Sequence, residues 1–266
     1  MIYLFIFILG TIIGSFLNVV GLRWNAGVSL SGRSKCPHCG KKLRWYELVP
    51  VLSYIVLRGR CGGCKSPISI QYPAIEILTG LIFLSIFNFQ FSIFKEYSLD
   101  FLVSCILYLV IFSLYIAILI YDLRHKIIPN NLIYPAIILS LGFGIWRFVW
   151  NFEFGAWDFA AALIIFLFFA SIWFVSGGRA MGFGDAKLGL SIGLLLGAQA
   201  GFSAVILAST LGAGIMLTLM LIMRITGLLR GVKKLTMKSE IPFAPFLILG
   251  AWLGLIYDLN LLQIPF

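Results

Sequence analysis

Eight apolar runs separated by short polar breaks constrain this chain more than any other feature. They cover residues 2–20, 74–94, 99–121, 132–150, 157–175, 186–198, 201–223 and 243–262. The hydrocarbon core of a bilayer is about 30 Å thick and takes about 20 apolar residues per helix. Inside lipid every backbone N–H and C=O must find an internal partner, which a helix achieves alone. Seven of the runs are long enough to span. The sixth reaches that length only by borrowing the Gly-rich stretch before it. Charged residues make up 11% of the chain, against about 25% in soluble domains. The expected fold is an all-α polytopic membrane protein with about eight transmembrane helices.

The net charge of +10 fits the same picture. Nine of the 20 Lys and Arg lie between Arg23 and Lys65. Alternating sides through eight segments places 18 of them on one face, at Arg23 to Lys65, Arg124, Lys126, Arg179, Lys187 and Arg224 to Lys238. Only Lys95 and Arg147 fall on the other. Basic loops stay in the cytoplasm, so that face is expected to be cytoplasmic, with both termini outside. Seven helices would invert everything after the missed one and spoil the sorting. The first run has no basic stretch before it and no small-residue cleavage site, so it reads as a retained helix rather than a signal peptide. Within it Ser15 and Asn18 should face another helix, with Gly14 allowing close approach; simple packing is a stronger reading for them than catalysis.

Residues 21–73 form the one sizeable polar insertion, on the cytoplasmic side, between a first helix at 1–20 and a membrane core at 74–266. About 50 residues bury little core unaided and usually need a metal or disulfides. Cys36-Pro37-His38-Cys39 and Cys61-Gly62-Gly63-Cys64 are two CxxC knuckles with 21 residues between them, close to the zinc-ribbon template. Turns helped by Pro37 and Gly40, or by Gly62 and Gly63, should bring four thiolates around Zn²⁺. Disulfides are the alternative, disfavoured in a reducing cytoplasm. His38 should face solvent, and Cys105, in a membrane run, should be a packing residue. Lys41, Lys42, Arg44, Arg58 and Arg60 with Trp45 and Tyr46 match a nucleic-acid surface in composition. The positive-inside rule already explains such cations, so the expected partner is the bilayer and not nucleic acid.

Two acids sit where ionisable groups are expensive: Asp122, ending the third run, and Asp185, opening the sixth in Gly182-Phe183-Gly184-Asp185. Such residues mark functional sites, and each is the other's natural partner. By the topology above both lie at cytoplasmic helix ends, where they can meet. Two close carboxylates cannot both ionise readily, so one keeps a proton while the other acts as base. That division of labour suits metal-free peptide hydrolysis. Gly182 and Gly184 would supply backbone freedom and room for an extended substrate. Two alternatives remain at this point: interfacial ion clusters, Asp122 with Arg124, His125 and Lys126 and Asp185 with Lys187, or a proton relay in a proton-coupled transporter.

The ordered motifs resemble the type IV prepilin peptidases, membrane aspartic proteases with a GxGD motif. They are Gly14-Ser15-Phe16-Leu17-Asn18-Val19-Val20, both knuckles, Pro50-Val51-Leu52-Ser53-Tyr54, Leu57-Arg58-Gly59-Arg60-Cys61, Tyr72-Pro73 with Glu76, Asp122 with Ile128-Pro129, Gly182 through Leu188, and Ile241-Pro242-Phe243-Ala244-Pro245-Phe246. The resemblance implies cleavage of prepilins or pseudopilins after a Gly that ends a basic leader, at the cytoplasmic side of a bacterial inner membrane. Asp122 and Asp185 match the catalytic acids. Retention of all four cysteines implies the second activity of such proteins, methylation of the new N-terminal residue with S-adenosylmethionine. Residues binding that cofactor are not identified, since no Gly-rich nucleotide fingerprint follows a strand. Ala244 replaces a frequent Gly, Gln71 a frequent Arg, and Glu47-Leu48 stands where Asn is common.

Overall fold

The computed structural model describes residues 1–23, 32–96, 98–150, 154–179, 181–226 and 242–257. They form eight α-helices: α1 Ile2–Arg23, α2 Leu52–Val56, α3 Gln71–Phe94, α4 Leu99–His125, α5 Asn130–Trp150, α6 Ala156–Ser176, α7 Phe183–Thr226 and α8 Ala244–Ile256. A 3₁₀ turn, Trp45–Leu48, precedes α2. There is no strand among the described residues, only the isolated bridges Lys35–Lys42 and Arg60–Pro67. Among the described residues six helices are long and apolar enough to cross a membrane: α1, α3, α4, α5, α6 and the Phe183–Thr218 part of α7. The chain is an all-α, multi-pass membrane protein. Residues 24–31 of the expected metal loop, the basic residues Arg230 to Lys238, Ile241 and residues 258–262 of the eighth run lie outside the described residues.

The chain divides into two compact units, Met1–Ile120 and Tyr121–Phe266. In the first, α1 packs along α3. The approach is close because both helices present glycine: a Cβ on Gly10 would lie 2.8 Å from the Gly80 Cα. Farther along the same seam a Cβ on Gly14 would lie 2.8 Å from the Thr79 hydroxyl and 3.0 Å from the Glu76 Cα. Ile6, Phe83, Phe87, Phe101 and Cys105 close the other end as an apolar cluster. Cys105 is a packing residue, as expected from its place in an apolar run.

In the second unit α7 packs against α5, α6 and α8. The sixth and seventh apolar runs both fall within α7, which is broken at Gly197 (φ 80°, ψ −172°). A straight helix rises about 12 Å over eight residues at 1.5 Å each. Yet a Cβ on Gly201 would stand 3.4 Å from the Gly193 Cα. The chain therefore doubles back, and α7 is a hairpin of two helical arms meeting at Gly197. Two charged side chains hold the bend. Arg147 Nη1 donates to the Leu195 carbonyl (3.2 Å) at the end of the first arm. Asp158 Oδ1 accepts the Ala198 N–H (2.6 Å) at the start of the second, while its Oδ2 accepts the Gly155 N–H (2.6 Å). These are the carbonyl and amide that a broken helix leaves without intrahelical partners.

Candidate metal centre and acid pair

Each cysteine knuckle is closed by its own backbone. In the first, Gly40 N–H donates to Cys36 O (2.9 Å) and Cys36 N–H to Lys41 O (3.0 Å); in the second, Lys65 N–H donates to Cys61 O (3.1 Å) and Cys61 N–H to Ser66 O (2.9 Å). The left-handed position after each pair is Gly40 (φ 68°) in one and Lys65 (φ 60°) in the other. Gly62 and Gly63, expected to make the second turn, have ordinary negative φ or extended backbone. Gly63 serves instead by lying against the sulfurs, its N–H donating to Cys61 Sγ (3.4 Å).

The four Sγ atoms of Cys36, Cys39, Cys61 and Cys64 lie within 4.8 Å of one another, and Cys36 and Cys64 are 3.8 Å apart. A tetrahedral zinc with Zn–S bonds of about 2.3 Å sets its sulfurs roughly 3.8 Å apart, so the cluster fits that ion. Its electrostatics point the same way. Backbone N–H groups of Cys39 and His38 bring the Cys36 thiol down to about 6. The Ser66 hydroxyl and N–H also lower Cys64. Cys39 is pushed up to about 11: the Lys41 N–H favours its thiolate, but desolvation and the Cys36 and Cys64 sulfurs outweigh that donor. Packed thiolates resist full ionisation until a cation joins them. His38 is exposed, as expected.

The sequence reading named Glu47 only as a departure from the family pattern and gave it no role. Glu47 is buried beside the first knuckle, its Oε2 accepting the Arg44 N–H (2.8 Å) and its Oε1 the Lys41 ammonium (3.0 Å). A Cβ on Gly62 would strike the same Oε1 at 2.5 Å. The Arg44 N–H, then Lys41, hold the Glu47 carboxyl below the ordinary glutamate value.

Asp122 and Asp185 are both buried in the second unit and near enough to interact electrostatically. Asp122 lies in the last turn of α4, with Oδ2 lacking any hydrogen-bond partner. The backbone of Ala244, first residue of α8, faces its carboxylate. Free N–H groups in a helix's first turn favour an anion there. Asp185 lies in the first turn of α7, where its N–H donates to Gly182 O (3.1 Å). Among the described residues neither acid forms an ion pair. Lys187 turns away to Asn130 Oδ1 (2.7 Å) and the Tyr134 hydroxyl (3.1 Å), with its ammonium 4.7 Å from the Tyr134 ring centre. The interfacial ion clusters considered from sequence are therefore not formed.

In Gly182-Phe183-Gly184-Asp185 a Cβ on Gly182 would meet nothing closer than Asp185 Oδ2 at 3.7 Å, whereas Gly184 is packed. Neither has a positive φ. A Cβ on Gly184 would come within 2.7 Å of Ile128 Cβ, so Gly184 is an allowance for close packing that seats the start of α7 against the segment following α4.

The bacterial peptidase A24 N-terminal domain family matches residues 8–89, and the type IV leader peptidase family matches residues 109–217. A protein of Bacillus subtilis named prepilin leader peptidase/N-methyltransferase is 31% identical, over 95% of this chain and 93% of that protein. The chain belongs to the type IV leader peptidase family. It is an enzyme, an aspartic peptidase of that family. A protein of the same name from Dickeya chrysanthemi is 30% identical over 94% of this chain and 91% of its own length. Another, from Myxococcus xanthus, is 35% identical over 79% of this chain, which spans only 60% of that relative. No solved structure matches this chain significantly. Its described residues include no strand-to-helix Gly-rich turn, so a Rossmann-type cradle for S-adenosylmethionine is not among them.

Proposed function

We propose that this chain removes the leader of type IV prepilins or pseudopilins by a two-aspartate reaction and then methylates the exposed N-terminal residue. The observation that carries the first half is the acid pair. Asp122 and Asp185 are buried together without a cationic partner, and Asp122 keeps an oxygen free for a ligand. The ionised acid takes a proton from a water, which attacks the scissile carbonyl carbon; the protonated acid donates to the carbonyl oxygen. As the C–N bond breaks, a proton returns to the leaving amine, and the pair shares one proton again. A proton relay would use the same acids, but family membership favours the peptidase.

The remaining assignments extend this reading. Eight crossings, supported by the reversal of chain at Gly197 and by α8, sort the basic residues to the cytoplasmic side of the inner membrane. A prepilin's apolar helix would lie in the bilayer with its leader in the cytosol, so the cut falls at that boundary. The basic face gives a basic leader no net attraction, and apolar contact with the substrate helix supplies the binding. Functionally the chain divides into the first helix at 1–20, the zinc-binding loop at 21–73 and the peptidase core at 74–266. Cys36, Cys39, Cys61 and Cys64 hold one Zn²⁺ that organises the loop. S-adenosylmethionine, implied by the resemblance of the motifs to the prepilin peptidases, is the methyl donor. The deciding experiment incubates the purified full chain in detergent with a prepilin-like peptide and weighs the products. Loss of the leader, then gain of one methylene with S-adenosylmethionine, is expected; an intact peptide refutes the assignment.

A further inference from the structure

Two buried side-chain oxygens lack a hydrogen-bond partner among the described residues: Asp122 Oδ2 and Asn18 Oδ1. Buried polar atoms are almost always satisfied, so each exception needs a reason. The first belongs to the acid pair. The second lies in the other unit, in a cluster the peptidase reaction does not use.

Asn18 is fully buried in α1, and its Nδ2 donates to the Tyr72 carbonyl of α3 (3.2 Å). That bond fixes the amide's orientation, since a flipped amide would set two oxygens against each other. One turn along α3 from Tyr72 lies Glu76, also buried. Its carboxylate accepts the Val51 N–H (2.7 Å) and the Ser15 hydroxyl, Ser15 being one turn from Asn18 on α1. No Lys or Arg pairs with Glu76 among the described residues. The turn that delivers the Val51 N–H is strained: Val51, a β-branched residue, has φ 61° and ψ −51°, and Leu52 N–H bonds back to Pro50 O. This is the rare positive-φ form of a γ-turn. Tyr72 and Leu52 beside the cluster are exposed, so it lies near the surface.

The cluster therefore combines an uncompensated carboxylate and an unfilled amide oxygen at the α1–α3 seam. Both are acceptors. They call for a compact group that is positively charged and rich in N–H donors. We propose that Glu76 and Asn18 form a binding site for a primary ammonium group. The inference rests on the methyltransferase half of the proposed function, where two such groups occur: the new N-terminus of the trimmed substrate, and the α-amino group of the methyl donor. For the first, Glu76 has a further use. An ammonium is no nucleophile, and its proton must leave the nitrogen before attack on a sulfonium methyl; the Glu76 carboxylate is placed to take it, with no electron transfer.

The test is equilibrium binding to the full-length protein in detergent, loaded with zinc, which needs no turnover. Three probes are used: a trimmed peptide beginning with a free Phe amine, its N-acetylated twin, and S-adenosylhomocysteine, which carries the donor's α-amino group. The wild type should prefer the free peptide to the acetylated one by tenfold or more if the site takes the substrate amine. Glu76→Gln and Asn18→Leu should each erase most of that preference while leaving S-adenosylhomocysteine affinity unchanged. The site serves the donor instead if both variants weaken S-adenosylhomocysteine by a similar factor and leave the peptide preference intact. Either pattern supports an ammonium site. Unchanged affinities for all three probes in Glu76→Gln, or loss of zinc and of leader cleavage together with the binding, make the cluster a structural tie and overturn the proposal. Labelled-methyl transfer by the wild type is read separately: its absence refutes the methyltransferase reading, whereas the binding pattern alone judges the ammonium site.

Discussion

The cysteine cluster and the acid pair assemble chemistry by opposite routes. Each knuckle is closed by hydrogen bonds within six residues of chain, from Cys36 to Lys41 and from Cys61 to Ser66. The bonds that Glu47 makes to Lys41 and Arg44 beside the first knuckle are as short in reach. The acids come from separate helices: Asp185 sits at the start of α7 beside Gly184, which packs on Ile128, and Asp122 at the end of α4 faces the backbone of Ala244. A site built from local turns tolerates damage elsewhere in the chain. One built from helix ends depends on every packing contact that sets those ends.

The strongest break in this comparison is chemical. Asp122→Asn or Asp185→Asn keeps side-chain volume but cannot pass a proton, so cleavage should fall at least about a hundredfold. Zinc content should not change, as metal analysis of the same samples would establish. Near-normal cleavage by either variant contradicts the two-acid reaction. The converse change, Cys61→Ser, removes one thiolate from a loop that draws much of its folding free energy from the ion. Zinc and methyl transfer to a trimmed peptide should both be lost, with part of the leader cleavage kept; full methyl transfer by a zinc-free variant would separate metal from activity.

A smaller effect is expected at the hairpin. Gly197→Ala places a Cβ on a left-handed backbone and against Asp158 Oδ1, a strain of about 1–3 kcal/mol. Thermal unfolding in detergent should shift downward and cleavage should decline with it, while the cysteine loop keeps its zinc. An unshifted melting profile would mean that the bend does not need its glycine. The smallest effect concerns Glu47. Its folded-state pKa is depressed, so its contribution is present above the ordinary glutamate value and is lost as pH falls through the lower folded value. Glu47→Gln should loosen the loop modestly at neutral pH, as read by zinc release to a competing chelator. The gap from wild type should narrow on acidification below the ordinary glutamate range; a gap that widens instead would assign the residue some other role.

What could be read from the sequence follows the same division. Apolar runs, CxxC spacing and isolated acids are signals carried by neighbouring residues, and the helices and the four-sulfur cluster match them. The inward positions of Asn18 and Gly14 were legible too, because polar or small residues in an apolar run have few other uses. Tertiary roles were hidden. Arg147 and Asp158 look like ordinary loop-flanking charges until the bend that they cap is seen. Gly184 looks like a source of flexibility until Ile128 is found against it. Lys187 is two residues from Asp185 and looks like its counter-ion. Two residues on a helix point about 200° apart, and this lysine reaches α5 instead.

The unequal arms of α7 work as a depth gauge. From Phe183 to the break at Gly197 the first arm has only about 14 residues, roughly 21 Å at 1.5 Å per residue, against a hydrocarbon thickness of about 30 Å. Arg147 and Asp158 favour an interfacial position for the bend. In the proposed topology, with the bend there, the first arm alone does not reach the other surface, and Asp185 at its opposite end would lie below that surface. A soluble polypeptide would have to leave water to reach it, whereas a chain already threaded through the lipid needs only to uncoil its last turn.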